Sequence, residues 1–193
     1  MLNVPTSRRR GFSLIEVMVA LAVLLVAGAG AMMALVAANQ QMRDGQLRQL
    51  KMVLVEAKAQ RMVLASKTSL TSAALAVQTV DPASVGVGTA PWSPDGTAMV
   101  AGDLGTGTVF EMRADGTIIP WATAPTNCAT DAAVKTGQYC REVLVAKGLP
   151  PSAANTSITT AIATTQPYTR WIRVSRKGEP DYLAVIYREV FVP

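Results

Sequence analysis

From Val17 to Ala38 the chain runs for 22 residues without a charge or a side chain more polar than methionine. As a helix, that length covers roughly 33 Å, about the thickness of a bilayer's hydrocarbon core. A segment of this kind belongs in a membrane or inside an assembly of helices, not in a modest soluble core. Arg8, Arg9 and Arg10 precede it. Basic residues just ahead of a span mark the cytoplasmic side, so the chain that follows should lie outside. Glu16 stands at the head of the run. A carboxylate at a bilayer centre costs about 2.5–3.5 kcal/mol on insertion scales, so its presence needs a reason.

Composition narrows the function. Half of the 193 residues are hydrophobic, and the apolar segment supplies much of that share. The net charge of +5 shrinks once the three leading arginines are set aside, leaving 15 basic against 13 acidic residues. That balance is too mild to predict nucleic-acid binding. The chain has no histidine, which rules out serine–histidine and cysteine–histidine catalysis. Its two cysteines, Cys128 and Cys140, are too few for a four-ligand zinc site. In a chain outside the cytoplasm such a pair reads as one disulfide closing a short loop, the alternative being two buried thiols. No cofactor and no metal are expected.

An ordinary secretory signal carries an apolar core of 7–15 residues before a small-residue cleavage site. This run is longer, although Ala29-Gly30-Ala31 imitates such a site. Neither a secretory signal nor a plain anchor explains Glu16. The order Gly11-Phe12-Ser13-Leu14-Ile15-Glu16-Val17 resembles the class III leader junction of type IV pilins and type II secretion pseudopilins. The resemblance covers Arg8 to Ala38 and is specific because leader charge, glycine, phenylalanine, glutamate and span length agree. It implies an α+β pilin-like fold and a prepilin peptidase that cuts after Gly11 and methylates Phe12. The new amine would sit four residues from Glu16 on one helical face. In the family the matching glutamate is thought to meet the terminal amine of a neighbouring subunit. A paired buried charge is tolerable where a lone one is not, and the pair would fix one axial register between helices. The alternative is a carboxylate that reaches for the headgroups.

Past the span, Leu47, Leu50, Leu54, Ala57 and Leu64 recur with helical spacing, and no proline lies between Thr6 and Asp81. One helix from Phe12 to about Ser66 is expected, with a membrane half and an amphipathic half. Gly28 and Gly30 mark either a soft point or a close-packing face. Residues 66–96 read as linker and loop, with Leu70–Val80 as a short helix or irregular strand. Strand patterns follow: Thr108–Arg113 and Thr117–Ile119 around Asp115-Gly116, then Glu142–Ala146, Thr169–Ser175 and Tyr182–Val192. Pro120 should end or edge its strand. An antiparallel sheet of four or more strands should cross the amphipathic half of the helix.

Other constellations are weak. Asp103-Leu104-Gly105-Thr106-Gly107 lacks the Gly-Lys-Ser/Thr element of a phosphate loop and reads as a surface turn. Asp95 and Asp103 fit no standard calcium loop. Arg170, Trp171, Arg173, Arg176 and Lys177 could hold single-stranded nucleic acid, but their charge divides between two strand faces. A solvated hairpin edge defended by charges is the preferred reading. Asn155-Thr156-Ser157 matches a glycosylation acceptor.

The resemblance and the residue patterns together imply three parts: a leader at 1–11, a helix at 12–66 with a span at 17–38, and a head at 67–193 with an antiparallel sheet and one disulfide loop. It implies a non-enzymatic minor pilin of a type IV pilus, most like the PilV-like pilus modification family, that joins a priming or tip complex. Partners would be prepilin peptidase, other minor pilins, the major pilin and the inner membrane, with nucleic acid disfavoured. The head would be periplasmic before assembly and at the cell surface in the pilus afterwards. A tip adhesin or DNA-binding minor pilin, and a minor pseudopilin of a type II secretion system, are the alternatives.

Overall fold

The computed structural model describes residues 13–64, 81–147 and 168–191. Gly11, Phe12, the leader, Leu70–Val80 and Asn155–Ser157 lie outside the described residues. A single helix, α1, runs from Leu14 to Leu64. No proline interrupts it, and its three glycines, Gly28, Gly30 and Gly45, are tolerated within it. Ser13 precedes it, and the Ser13 carbonyl accepts from the amides of Glu16 and Val17. Two compact units divide the chain between Gln46 and Leu47.

The first unit is the N-terminal part of α1. Its apolar side chains are exposed all round: Leu24 is 70% and Met33 75% accessible. A helix that is apolar on every face is stable only where something covers it. Among the described residues α1 is the one helix long and apolar enough to cross a membrane.

The second unit is an α+β head. Its strands are β1 (Ser93–Pro94), β2 (Val109–Met112), β3 (Ile118–Trp121), β4 (Tyr139–Lys147), β5 (Tyr168–Arg176) and β6 (Val185–Phe191). They form one sheet in the order β3-β2-β4-β5-β6, with β1 paired to β4, and every pairing is antiparallel. The β2–β3 hairpin turns at Gly116, whose φ of +83° is a conformation glycine adopts without strain. The Asp115 carboxylate accepts from the Thr117 amide across that turn. Pro120 falls within β3, an edge strand, where its missing N–H costs no ladder bond on the outer side.

Both faces of the sheet are covered. On one, Leu54, Val55, Ala59 and Met62 of α1 pack with Phe110, Tyr139, Val143, Ile172 and Val174. On the other, Val85 and Trp92 pack on Leu144, Trp171 and Ile186. The segment expected as linker therefore includes, from Asp81 onward, a strap that closes the sheet's second face. The strap begins with a 3-10 turn at Pro82–Ser84, capped by the Asp81 side chain. Cys128 and Cys140 are bonded, with Cα atoms 5.6 Å apart, and pack with Val109 and Val134.

One expectation is overturned here. The Arg170–Lys177 stretch is not a solvated edge: β5 lies inside the sheet, between β4 and β6. Every residue from Tyr168 to Ser175 is buried. Alternation of charge over two faces suggests exposure only if one face is wet, and here neither is.

Candidate functional site

Glu16 lies in the first turn of α1, where a carboxylate suits the positive end of the helix dipole. With Val17, Ala20, Leu21 and Leu24 it lines a shallow apolar groove that opens outward. Among the described residues it forms no ion pair, in contrast to the head carboxylates Asp95, Glu142 and Glu179. The charge thus has an apolar rim and no described cation of its own chain. Ser13 stands three residues before it, the spacing of a capping box, in which a glutamate reaches back to the cap's amide.

The head spends several of its buried charged residues internally. Asp95, 2% accessible, receives Lys58 Nζ at 2.8 Å on one oxygen and Arg141 Nε at 2.8 Å on the other. Arg141 is fully buried. Its remaining nitrogens donate to the carbonyls of Leu54 at 3.1 Å, Leu104 at 2.7 Å and Gly107 at 2.7 Å. Its guanidinium also stacks over Phe110, 4.8 Å from the ring centre. Two cations already occupy the oxygens that a calcium ion would need from Asp95. Asp103 instead faces Arg61 across 3.6 Å and accepts from the Gly105 amide.

The stretch expected as a surface turn, Asp103–Gly107, is seated against α1. A Cβ at Gly105 would meet the Ala57 carbonyl at 2.8 Å, so only glycine permits this approach. Lys51, 3% accessible, donates to Glu179 and, at 2.9 Å, to the Leu183 carbonyl. Burial draws the Lys58 ammonium below its ordinary 10.5, and the nearby Asp95 charge opposes that shift.

On the second face, Glu142 and Arg173 sit directly opposite each other on β4 and β5. Arg173 Nη2 lies 2.7 Å from Glu142 Oε2. Its guanidinium also donates to the carbonyls of Val85 and Gly86 and covers the Trp92 ring at 4.2 Å. Glu142 accepts from the Gly88 amide at 3.0 Å. Burial pushes the Glu142 carboxyl above its ordinary 4.5, against the pull of Arg173. This cross-strand pair therefore fastens the strap to the sheet. Arg176 donates to Glu179 at 3.1 Å, and Lys177 donates to the Asp131 carbonyl at 2.6 Å. Three of the basic side chains that suggested a nucleic-acid patch are thus engaged within the head.

Among the described residues, nothing in the head gathers a nucleophile, a base and an oxyanion site around a cavity, and the exposed carboxylate with an apolar setting is Glu16. There the comparison with known families is informative. The family model described as the prokaryotic N-terminal methylation motif matches residues 6–32. No curated protein and no solved structure matches the chain. The motif implies processing by prepilin peptidase and assembly with pilin-type partners. Proteins that carry it are structural, not enzymatic. The leader motif, the long apolar helix and the antiparallel head together support a type IV pilin-like protein.

Proposed function

We propose that the chain is a minor pilin of a type IV pilus, a structural subunit that joins a priming or tip complex for fibre assembly. Residues 1–11 are removed after Gly11, and Phe12 becomes the methylated N-terminus. The processed subunit waits in the inner membrane, spanning it once through 17–38, with its head in the periplasm. It then moves sideways into the assembly and reaches the cell surface in the pilus.

The observation that carries this reading is Glu16, set four residues beyond Phe12 at the head of a helix whose N-terminal apolar side chains are exposed. The terminal amine of a neighbouring subunit is the counter-charge, and the groove from Val17 to Leu24 receives the neighbour's helix. Losing one partner of a buried pair costs about 3–5 kcal/mol. Each 1.4 kcal/mol is tenfold in affinity, so incorporation should fall ~100-fold or more.

The test uses two substitutions expressed in cells that make pili. Glu16→Ala removes the charge and any cap, whereas Glu16→Gln removes the charge but keeps a capping side chain. Both variants should insert normally and fail to co-isolate with the other pilins. Full rescue by glutamine would reduce Glu16 to a helix cap. Normal co-isolation of both variants would remove its role in assembly. The type II secretion pseudopilin shares all these features and differs in its partners: co-isolation with secretion components in place of pilus pilins would favour it.

A further inference from the structure

The stretch of α1 that faces the sheet, Leu47 to Met62, contains two lysines among its apolar residues. Lys51 and Lys58 are seven residues apart, two helical turns or about 10.5 Å. They are 3% and 6% accessible, while Arg43, Arg48 and Arg61 on the same helix are exposed. Their acceptors come from separate parts of the head. Lys58 is held by Asp95 and the Thr97 hydroxyl just after β1, and Lys51 by Glu179 and the Leu183 carbonyl between β5 and β6. Between these two points Arg141 of β4 donates to the Leu54 carbonyl, and Gly105 lies against the Ala57 carbonyl.

We infer that Lys51 and Lys58 form a two-point key that fixes the axial register of α1 on the head. The apolar residues alone discriminate poorly. A slip of one turn lays Leu50 where Leu54 sat and Val55 where Ala59 sat, replacing one apolar side chain by another. The same slip carries Lys51 into the seat of Val55 and Lys58 into the seat of Met62. It strands both ammonium groups in apolar surroundings and leaves Glu179 without Lys51 and Asp95 without Lys58. Buried charges are poor sources of net stability but strong penalties on wrong arrangements, because an unpaired one is costly. With both lysines seated, a pull along α1 moves the head as one piece and does not draw the helix across the sheet. This holds whichever filament or membrane the N-terminal unit enters.

The test moves the key. In the full-length protein in detergent micelles, spin labels are placed at the exposed Gln60 and at one of two exposed head sites, Ala114 or Ala132, leaving the Cys128–Cys140 bond intact. The parent should give one narrow distance for each pair. A variant carrying Leu47→Lys, Lys51→Leu, Leu54→Lys and Lys58→Leu displaces both lysines by one turn. Its helix should slide by four residues, about 6 Å, so that they regain Glu179 and Asp95, and at least one distance should change by several ångströms. Retention of both parental distances would overturn the inference. If that variant yields no folded head, Lys51→Met with Lys58→Met decides: broadened or double distances support the key, and unchanged narrow ones overturn it.

Discussion

The two units of this chain treat charge in opposite ways. In the N-terminal unit one carboxylate, Glu16, lies among exposed apolar side chains and forms no ion pair with any described residue of its own chain. In the head, Asp95, Glu142, Arg141, Arg173, Lys51 and Lys58 are all buried and all bonded within the molecule. The same physical rule governs both, since a buried charge must be paired. What differs is where the partner comes from. The head completes its pairs by folding, whereas the N-terminal unit leaves its charge for something outside the chain to complete.

The sharpest way to break this contrast is to open a head pair. Arg141→Met leaves Lys58 as the sole described cation on Asp95 and takes the guanidinium donors from three carbonyls. The head should lose about 3–5 kcal/mol, read from urea unfolding of the full chain in detergent by tryptophan fluorescence. A loss below about 1 kcal/mol would show that the cluster is not a closed, mutually dependent set.

A smaller effect is expected from pH. Lys58 has a lower pKa in the folded state than the 10.5 of a free lysine. Between those two values the unfolded chain binds the extra proton, so stability rises with pH across that window. Below the folded value the ammonium is charged in both states and the gain is absent. The rise should appear as pH climbs toward 10.5 and should vanish in Lys58→Met. An identical pH profile in that variant would count against the buried-lysine assignment.

The smallest effect belongs to the other unit. Glu16→Ala should leave the head's unfolding midpoint unchanged, within about 0.5 kcal/mol, because distant sites without shared partners act independently. A larger shift would mean that the two units are energetically coupled and that the contrast between them is overstated.

How much of this is legible in the sequence follows the same division. Gly11, Phe12, Glu16 and the 22-residue run are close together, so their meaning can be read from local order. The Asp115-Gly116 hairpin and the strands around residues 168–176 and 185–191 also carry local patterns. The head's ion pairs carry none. Lys58 meets Asp95 across 37 positions, and Lys51 meets Glu179 across 128. A lysine between leucines reads as the edge of a wet face until the chain brings a carboxylate to it. Likewise, the alternation in Arg170–Ser175 suggests exposure because nothing nearby announces that the strap from Asp81 will cover the second face. Among the helix positions chosen by spacing, Leu47, Leu50 and Leu54 do pack on the core, whereas Val55, Ala59 and Met62, which also pack there, are not among them.

The most direct measurement is the intact mass of the protein purified from cells that do and do not make prepilin peptidase. With the enzyme, the mature chain should begin at Phe12 and carry one added methyl group; without it, residues 1–11 should remain. A mature chain that starts anywhere else would leave Glu16 without the neighbouring amine it is argued to meet, and would contradict the assembly role.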